Sequence, residues 1–358
     1  PDDPQTKVEY KVAMITDYGD ITDQSFNQTT YEACKAFAED NSIEFSYFKP
    51  AGDNTADRVA MIEKAVDEGF NVIVMPGYAF GGAIVEAAPE FPDVKFIALD
   101  VAAGDLLETA VAKAGEAYDY TPENWDLNKY VDMSNVYCAV YQEELCGYMA
   151  GYAAVKLGYK NLGFLGGMSV PAVVRYGYGF VQGVDAAAAD LGLTDVKLNY
   201  IYGGQFFGDA DITAVMDTWY QGGTEVVFAC GGSMFSSIVS AASANDMFVV
   251  GVDVDQSFES ETVVTSALKG LSNATSWAIG KFYAGEWDEI GNVATSLGAN
   301  DDAVGLPTET WSLESYTIEE YEALLASIKD GTVTIDSSVL EADAIVNAGL
   351  ENVIIIYE

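Results

Sequence analysis

The sequence predicts an α/β protein of two similar lobes, each built on a parallel sheet with helices on its faces. Its 358 residues, half of them hydrophobic, are enough to bury two cores. β-Branched apolar runs recur, and each ends in Gly, Asp or a polar turn before a helical stretch begins. Near-continuous apolar strands between helices are typical of a parallel sheet that is buried on both faces.

Nine apolar runs are the strand candidates. In chain order they are KVAMIT, VIVMPGY, KFIALDV, NVYCAVY, NLGFLGG, KLNYIYGG, EVVFACGG, FVVGVDVD and TVVTSALKG. A last run, NVIIIYE, is predicted as a further strand on one of the two sheets.

Helical stretches lie between these runs. FNQTTYEACKAFAEDN follows Asp23 and Ser25, whose side chains can accept hydrogen bonds from the free N–H groups of a helix start. ADRVAMIEKAVDEG ends at Gly69, a typical helix stop. The remaining predicted helices are EELCGYMAGYAAVKLG, PAVVRYGYGFVQGVDAAAADLG, DITAVMDTWYQGG, MFSSIVSAASAND and TIEEYEALLASIKDG.

The boundary between the lobes is predicted from a break in this alternation. The polar, aromatic segment YDYTPENWDLNKYVDMS interrupts the first series, and a second series begins at NLGFLGG. We therefore expect an N-terminal lobe of residues 1–141 plus about 263–310. The C-terminal lobe would hold residues 142–262 plus about 311–358, so that the chain crosses between the lobes more than once.

The charge of the chain excludes several partners. Lys and Arg number 16 against 56 Asp and Glu, so the formal net charge is −40. A surface this acidic repels phosphate backbones and anionic lipid headgroups, so neither nucleic acid nor a membrane surface is an expected partner. Strong like charge also favours a soluble monomer.

Catalysis and cofactor binding are not expected. The chain has no His, which removes the commonest general base and metal ligand. Its four Cys show no metal-ligand spacing and are interpreted as small buried hydrophobic residues. GFLGGMSVP lacks the G-x-G-x-x-G spacing of a dinucleotide loop. Only Asp253 and Asp255 offer a faint metal candidate, so we predict no metal, no cofactor and no enzyme.

The beginning of the sequence, PDDPQTKVEY, is predicted to be a short polar tether. It lacks the basic and apolar stretches of a signal peptide, so an anchor and a signal peptide are expected to be absent from the chain as given. No apolar run is long enough to span a bilayer.

Ligands of open parallel sheets bind beyond the carboxyl ends of the strands, so the residues that follow each strand are candidate ligand contacts. These residues are Thr16 to Gly19, Pro76 to Tyr78, Asp100, Gly166 to Met168, Gly203 to Phe207, Gly231 to Ser233, Asp253 to Asp255 and Lys269. They combine carboxylates, aromatic rings and small residues with one cation. An ionised Asp accepts from two neighbouring hydroxyls and a ring stacks on an aromatic face, so a sugar or a nucleoside fits.

Structural interpretations compete with these assignments. Asp17 and Asp23 could cap the helix that follows them. Phe206 and Phe207 could be core residues, and Lys269 could be a solvated surface charge. A carboxylate at a buried strand end needs a partner, which favours a functional role for Asp100.

The sequence resembles the basic-membrane-protein family, also called the PnrA-like or Med family. The resemblance runs from KVAMITDYGDITDQSFNQTTYEACKAFA to VVTSALKG and includes FPDVKFIALD, NLGFLGGMSVPAVVRYGYGFVQGVDAA, YGGQFFGDA and VVGVDVDQ. The combination of D-x-S-F-N-Q, at Asp23 to Gln28, with LGGM-x-x-P-x-V is specific. It implies a type I periplasmic-binding-protein fold, whose two Rossmann-like lobes close about a hinge on a ligand.

The resemblance also implies roles for particular residues. A purine would lie between the rings of Phe26 and Phe206, with Phe207 as the alternative to Phe206. The base edge would meet Asp17 and Asn27, and the ribose hydroxyls would meet Asp100, Asp253 and Lys269. The backbone groups of Gly231 and Gly232 would lie beside the sugar. Further candidates around this set are Tyr18, Ser25, Tyr78 and Asp255.

Family members are substrate-binding lipoproteins of ABC transporters that take up nucleosides. The resemblance thus implies a membrane-anchored extracytoplasmic receptor that delivers a nucleoside to an ABC permease. A sugar receptor, a sensory receptor with the same fold, and a nucleoside hydrolase using carboxylates remain as alternatives.

Overall fold

A computed structural model describes residues 9–357 of the chain. Most of the predicted N-terminal tether lies outside this range. Within it, the strands are β1 Lys11–Ile15, β2 Glu44–Phe48, β3 Val72–Pro76, β4 Lys95–Leu99, β5 Val136–Tyr141, β6 Asn161–Gly166, β7 Val196–Tyr202, β8 Val226–Cys230, β9 Phe248–Asp253, β10 Val263–Lys269, β11 Val293–Leu297, β12 Val304–Gly305 and β13 Val353–Tyr357.

The helices alternate with these strands. They are α1 Phe26–Asn41, α2 Thr55–Asp67, α3 Gly81–Ala87, α4 Ala103–Lys113, α5 Glu143–Lys156, α6 Pro171–Asp190, α7 Ala210–Gln221, α8 Phe235–Ala244, α9 Leu271–Tyr283, α10 Ile318–Lys329 and α11 Ala342–Val346. The α/β prediction is confirmed, and every predicted strand and helix has a counterpart here.

The chain divides into two compact units. Unit 1 holds residues 9–21, Phe26–Val140 and Leu271–Ser296. Its sheet has the strand order β11-β5-β4-β3-β1-β2, and the pairs from β2 to β5 are parallel. β3 is buried along its whole length, as a strand covered by helices on both faces must be.

Unit 2 holds Thr22–Ser25, Tyr141–Gly270 and residues 297–357. Its sheet has the order β12-β10-β9-β8-β6-β7-β13, and all its pairs are parallel except β10 with β12. The run NVIIIYE forms β13 and pairs with β7 from Val353↔Val196 to Tyr357↔Tyr200. In each unit, the carboxyl ends of the parallel strands therefore lie together along one edge of that unit's own sheet.

Helices α5 and α6 of unit 2 pack at very close range. A Cβ atom on Gly151 would lie 2.2 Å from the Phe180 carbonyl oxygen, and one on Gly183 would lie 2.0 Å from that of Tyr148. Such distances leave no room for any side chain, so glycine is required where these helices cross. The close packing holds the first turns of α5 and α6 beside each other.

The predicted crossing points need correction. The first prediction, between residues 141 and 142, lies one residue from the observed division between Val140 and Tyr141. The return to unit 1 was predicted near residue 263, but β10 pairs with β9 inside the unit 2 sheet. The chain therefore returns after Gly270, and it re-enters unit 2 at Leu297 instead of near residue 311.

All four cysteines are buried thiols outside any disulfide, in agreement with their interpretation as small core residues. Burial raises the pKa of the Cys34 and Cys138 thiols, which keeps them in the neutral form. No helix within residues 9–357 has both the length and the apolar character needed to cross a bilayer.

Candidate functional site

The carboxyl edge of the unit 1 sheet brings three predicted positions to one level. Continuing the β1–β3 register from Met14↔Val74 places Asp17 beside Gly77. The β3–β4 register, from Pro76↔Leu99, places Gly77 beside Asp100. Asp17 and Asp100 therefore stand two strand spacings apart, roughly 10 Å.

Asp17 is held by the turn that follows β1. Its Oδ1 accepts hydrogen bonds from the N–H groups of Tyr18 and Gly19 at 2.6 and 2.7 Å. Burial raises the pKa of the Asp17 carboxyl, while these N–H groups, the Arg58 charge and the Asn27 amide act in the opposite direction. Asp17 thus caps its own turn and still lies at the sheet edge.

Asn27 and Phe26 enter from the start of α1. Asn27 is 5% exposed, and a Cβ atom on Gly19 would lie 2.4 Å from its Nδ2, so the absence of a side chain at Gly19 admits the amide beside Asp17. Phe26 is half-buried one residue earlier. The two α1 residues predicted to meet a base therefore belong to the same unit as Asp17.

Arg58 was not predicted from the sequence. It lies on α2, is 3% exposed, and forms an ion pair with Asp53. Its guanidinium lies over the rings of Tyr18 and Phe80, with 5.9 and 5.8 Å to the centroids. Burial, followed by the neighbouring Tyr78 hydroxyl, raises the pKa of Tyr18. Tyr18 and Tyr78 therefore form one aromatic group with Arg58 next to Asp17.

Asp100 has an uncommon backbone conformation. Its φ is +58°, in the left-handed region, and its N–H donates to the Ala139 carbonyl at 2.8 Å. Aspartate adopts this region more readily than most residues, but it is still rare outside glycine. The side chain of Asp100 is half-buried at this edge of the sheet.

The predicted glycines and Asp253 lie at the carboxyl edge of the unit 2 sheet. Gly166 pairs with Cys230, so Gly167 lies beside Gly231. The β8–β9 register, continued from Phe228↔Val250, places Gly231 beside Asp253. Gly232, with φ +55°, follows at the turn into α8. The predicted backbone groups and the predicted carboxylate thus share one level of the sheet.

Phe206 and Phe207, the two alternative stacking rings, differ in their exposure to solvent. Phe206 is half-buried, and its ring covers Gly167, where a Cβ atom would lie 2.3 Å from Cε1. The Phe206 carbonyl accepts from the Ser233 hydroxyl at 3.1 Å. Phe207 is 58% exposed. Phe206 is therefore the ring that the loop holds at the sheet edge, about two strand spacings, roughly 10 Å, from Asp253.

Asp253 is 7% exposed and has a φ of +66°. Its Oδ2 accepts from the Ser25 hydroxyl at 2.5 Å, and its Oδ1 accepts from the Tyr176 hydroxyl at 3.1 Å. Ser25 directly precedes α1, as predicted. Its hydroxyl donates to Asp253, and its N–H donates to Asp23 Oδ1 at 3.0 Å.

Lys269 ends β10 and is 5% exposed, so the surface interpretation is wrong. Its Nζ lies 2.9 Å from Glu143 Oε1 and over the rings of Tyr141 and Tyr176, with 5.0 and 5.6 Å to the centroids. Glu143 also accepts from Arg175 Nε at 2.7 Å. The cation therefore belongs to a buried network next to Asp253, and its contact with a ligand hydroxyl stays a prediction.

The faint metal candidate is not supported within residues 9–357. Asp255 accepts from the Ser257 N–H at 3.0 Å, which holds its own turn, and from the hydroxyl of the distant Thr310 at 2.5 Å. No group of three acidic or cysteine residues in the described part of the chain is arranged to hold a metal ion.

The two residues that sequence reasoning missed, Arg58 and Tyr176, share a simple cause. Both stand inside helices, whereas the strand pattern points only to positions that follow strands. A usable signal existed for Arg58, because Arg58 and Arg175 are the two arginines of the sequence. In a chain this poor in basic residues, each forms an ion pair, Arg58 with Asp53 and Arg175 with Glu143.

Two largely parallel sheets with helices between their strands, one in each unit, are the architecture of the type I periplasmic-binding-protein fold. A structure of an ABC transporter solute-binding protein from Aeropyrum pernix K1 is similar, with a TM-score of 0.73. The two chains are 19% identical, and the match covers 94% of this chain and 95% of that one. This likeness shows the fold.

The chain belongs to the family of PnrA-like ABC transporter substrate-binding proteins, whose profile matches residues 10–338. The ABC transporter nucleoside-binding protein BmpA of Lactococcus lactis is 24% identical over 93% of this chain and 91% of that protein. Basic membrane protein B of Borreliella burgdorferi is 25% identical over 83% of this chain and 80% of that protein. The family is one of substrate-binding proteins, not of enzymes.

Proposed function

We propose that this protein binds a purine nucleoside and delivers it to the permease of an ABC importer. One observation carries the proposal: each unit has a left-handed aspartate at a strand end of its sheet and a half-buried aromatic ring, at the start of α1 in unit 1 and in the loop after β7 in unit 2. Unit 1 has Phe26 with Asp100, and unit 2 has Phe206 with Asp253. The relative from Lactococcus lactis, named as nucleoside-binding, supports the same ligand class.

The chemistry of each pair suits one part of the ligand. An aromatic face stacks on a base, which contributes about 1–3 kcal/mol per base. A carboxylate accepts two hydroxyl hydrogen bonds, and bonds to a charged acceptor contribute about 1.5–3 kcal/mol each. Two rings and two such carboxylates are enough for micromolar affinity, about −8 kcal/mol. Asp17 and Asn27 are assigned to the base edge.

The protein is further proposed to work as a monomeric, lipid-anchored receptor outside the cytoplasmic membrane. A relative from Pyrococcus abyssi is named as a lipoprotein, which agrees with this location. The formal charge of −40 disfavours self-association. Light scattering after gel filtration tests the monomer.

The ligand is tested by calorimetric titration with purine nucleosides, pyrimidine nucleosides, free ribose, free bases and nucleoside monophosphates. We expect at least one purine nucleoside to bind with a Kd of about 1 μM or tighter. Binding of ribose alone at that affinity would identify a sugar receptor. Release of free base during incubation would identify a hydrolase. Failure of every nucleoside to bind would refute the proposal.

A further inference from the structure

The short segment Thr22–Ser25 is grouped with unit 2, whereas the residues on either side of it are grouped with unit 1. Gln24 of this segment is held by two hydrogen bonds. Gln24 has a φ of +57°, and its carbonyl accepts from Gln256 Nε2 at 2.9 Å. The Gln24 side chain donates to Glu259 Oε2 at 2.6 Å. The segment is thus bound to the turn that follows β9.

Gln256 links this segment to the strand end that carries Asp253. Gln256 is completely buried, and its Oε1 accepts from the N–H of Val252 at 2.8 Å. Its own N–H donates to the Ser266 hydroxyl at 3.0 Å. The Gln256 side chain therefore binds both Val252, the residue before Asp253, and Gln24, the residue before Ser25. These two contacts hold Ser25 at the Asp253 carboxylate.

The two hydroxyl groups that donate to Asp253 bind different oxygens of its carboxylate. Ser25 donates to Oδ2 and Tyr176 donates to Oδ1, and both donors are buried. A carboxylate has about four acceptor positions, two on each oxygen. Each donor occupies one, so each oxygen keeps an acceptor position with a fixed direction. Two neighbouring hydroxyl groups on a pentose match that pattern.

We infer that Ser25 and Tyr176 are positioning residues, which orient the Asp253 carboxylate and thereby set the preference for a ligand with free ribose hydroxyls. The inference deepens the proposed function and rests on it. The Ser of the D-x-S-F-N-Q element then acts through a carboxylate 228 residues further along the chain, and it makes no ligand contact of its own.

The test compares the purine nucleoside that the wild-type protein binds most tightly with its 2′,3′-dideoxy analogue, by calorimetry. Ser25→Ala and Tyr176→Phe should each weaken the ribonucleoside about tenfold and the dideoxy analogue less than twofold. Ser25→Thr keeps a hydroxyl and should restore most of the affinity. In an Asp253→Ala background, Ser25→Ala should change nothing further.

Matched controls remove equivalent groups at the opposite edge of the same sheet. Thr224→Val deletes a buried hydroxyl that accepts from Asn199 at 3.1 Å, and Tyr220→Phe deletes one that donates to Phe248 at 2.8 Å. Both should bind both ligands as the wild type does. Unfolding temperatures of all variants identify any that fail to fold.

The outcomes distinguish a failure of the positioning role from a failure of nucleoside binding itself. Equal weakening of the ribonucleoside and the dideoxy analogue by Ser25→Ala, or full additivity with Asp253→Ala, overturns the positioning role while nucleoside binding stands. If the wild-type protein binds no nucleoside, the proposed function itself is wrong.

Discussion

Asp100 and Asp253 are similar at the level of single residues. Asp100 directly follows β4 and Asp253 is the last residue of β9, so each stands at a strand end, and each has a positive φ. Left-handed backbone at a residue other than glycine costs of the order of 1 kcal/mol or more and concentrates at functional sites. The pattern supports a ligand role for both residues, because a structural turn would be more stable with glycine or asparagine.

Asp100→Asn tests this role without disturbing the backbone, since asparagine also tolerates the left-handed region. A hydrogen bond to a neutral acceptor contributes about 1 kcal/mol less than one to a carboxylate. Nucleoside affinity should therefore fall about tenfold, while the unfolding temperature stays within about 2 °C of wild type. The control is Asp246→Asn, an exposed left-handed aspartate after α8. Equal affinities for wild type and Asp100→Asn would remove Asp100 from the site.

Gly167 supports the Phe206 ring by having no side chain. Gly167→Ala would place a Cβ atom 2.3 Å from Phe206 Cε1, so the ring must move off the sheet edge. Because the ring is the proposed stacking surface, nucleoside affinity should fall about tenfold, within the 1–3 kcal/mol range of base stacking.

Gly280→Ala is the control for that substitution, because its nearest neighbour atom, on Phe37, would be 3.7 Å away. This variant should bind as the wild type does. Calorimetry and thermal unfolding measure both variants, and an unchanged affinity in a folded Gly167→Ala protein would contradict the stacking role of Phe206.

At the scale of elements, the hydrophobic pattern predicted the central strands of both sheets and the helices α1, α2, α5 to α8 and α10. The stretch FNQTTYEACKAFAEDN predicts a helix that the structure places at Phe26–Asn41. Strand β2 was missed because it pairs at the edge of its sheet, and EFSYF is only partly buried, so it has no continuous apolar run. Helices α3, α4, α9 and α11 and strands β11 and β12 were missed as well.

For the candidate site too, the sequence indicated the positions at strand ends but not the contacts between distant segments. Residues directly after strands, such as Asp17, Asp100 and Asp253, could be predicted because parallel strands align their carboxyl ends. The contact between Ser25 and Asp253 could not, since it joins a four-residue segment to a strand end far away in sequence. The assignment of β10 to unit 2 likewise depends on its pairing with β9.

The first turn of α5 carries a pH-sensitive carboxyl. Burial, together with the charge of Glu143, raises the pKa of Glu144 to about 7 from 4.5. The folded state therefore binds the proton more tightly than the unfolded state. This group lowers the stability as the pH rises from 4.5 to about 7, and above pH 7 the loss is complete.

Glu144→Gln should remove that loss. Relative to wild type, the variant should gain about 2 kcal/mol of unfolding free energy at pH 8 and nothing at pH 4.5. Urea unfolding across this range measures the difference. Glu63→Gln, on the exposed face of α2, is the control and should follow the wild-type curve. A Glu144→Gln curve parallel to that of wild type would show that burial does not raise the Glu144 pKa.

At the scale of the whole molecule, the excess of acidic residues sets the response to salt. A formal charge of −40 on 358 residues makes the folded chain repel itself, and few of the ion pairs are buried. The screening length falls from about 30 Å at 0.01 M salt to about 3 Å at 1 M. Repulsion between surface carboxylates should therefore be largely removed within this range.

The unfolding temperature should accordingly rise by several degrees between 0.01 and 1 M NaCl, with most of the rise below about 0.3 M. Screening of charge acts at these concentrations, whereas exclusion of solutes from the surface acts mainly above them. Sucrose of equal osmolarity is the control and should give a smaller rise at the low end. Nucleoside affinity should stay constant across the series, because the proposed ligand is uncharged. An unfolding temperature that is flat or falls with NaCl would mean that the acidic surface is already balanced by bound cations.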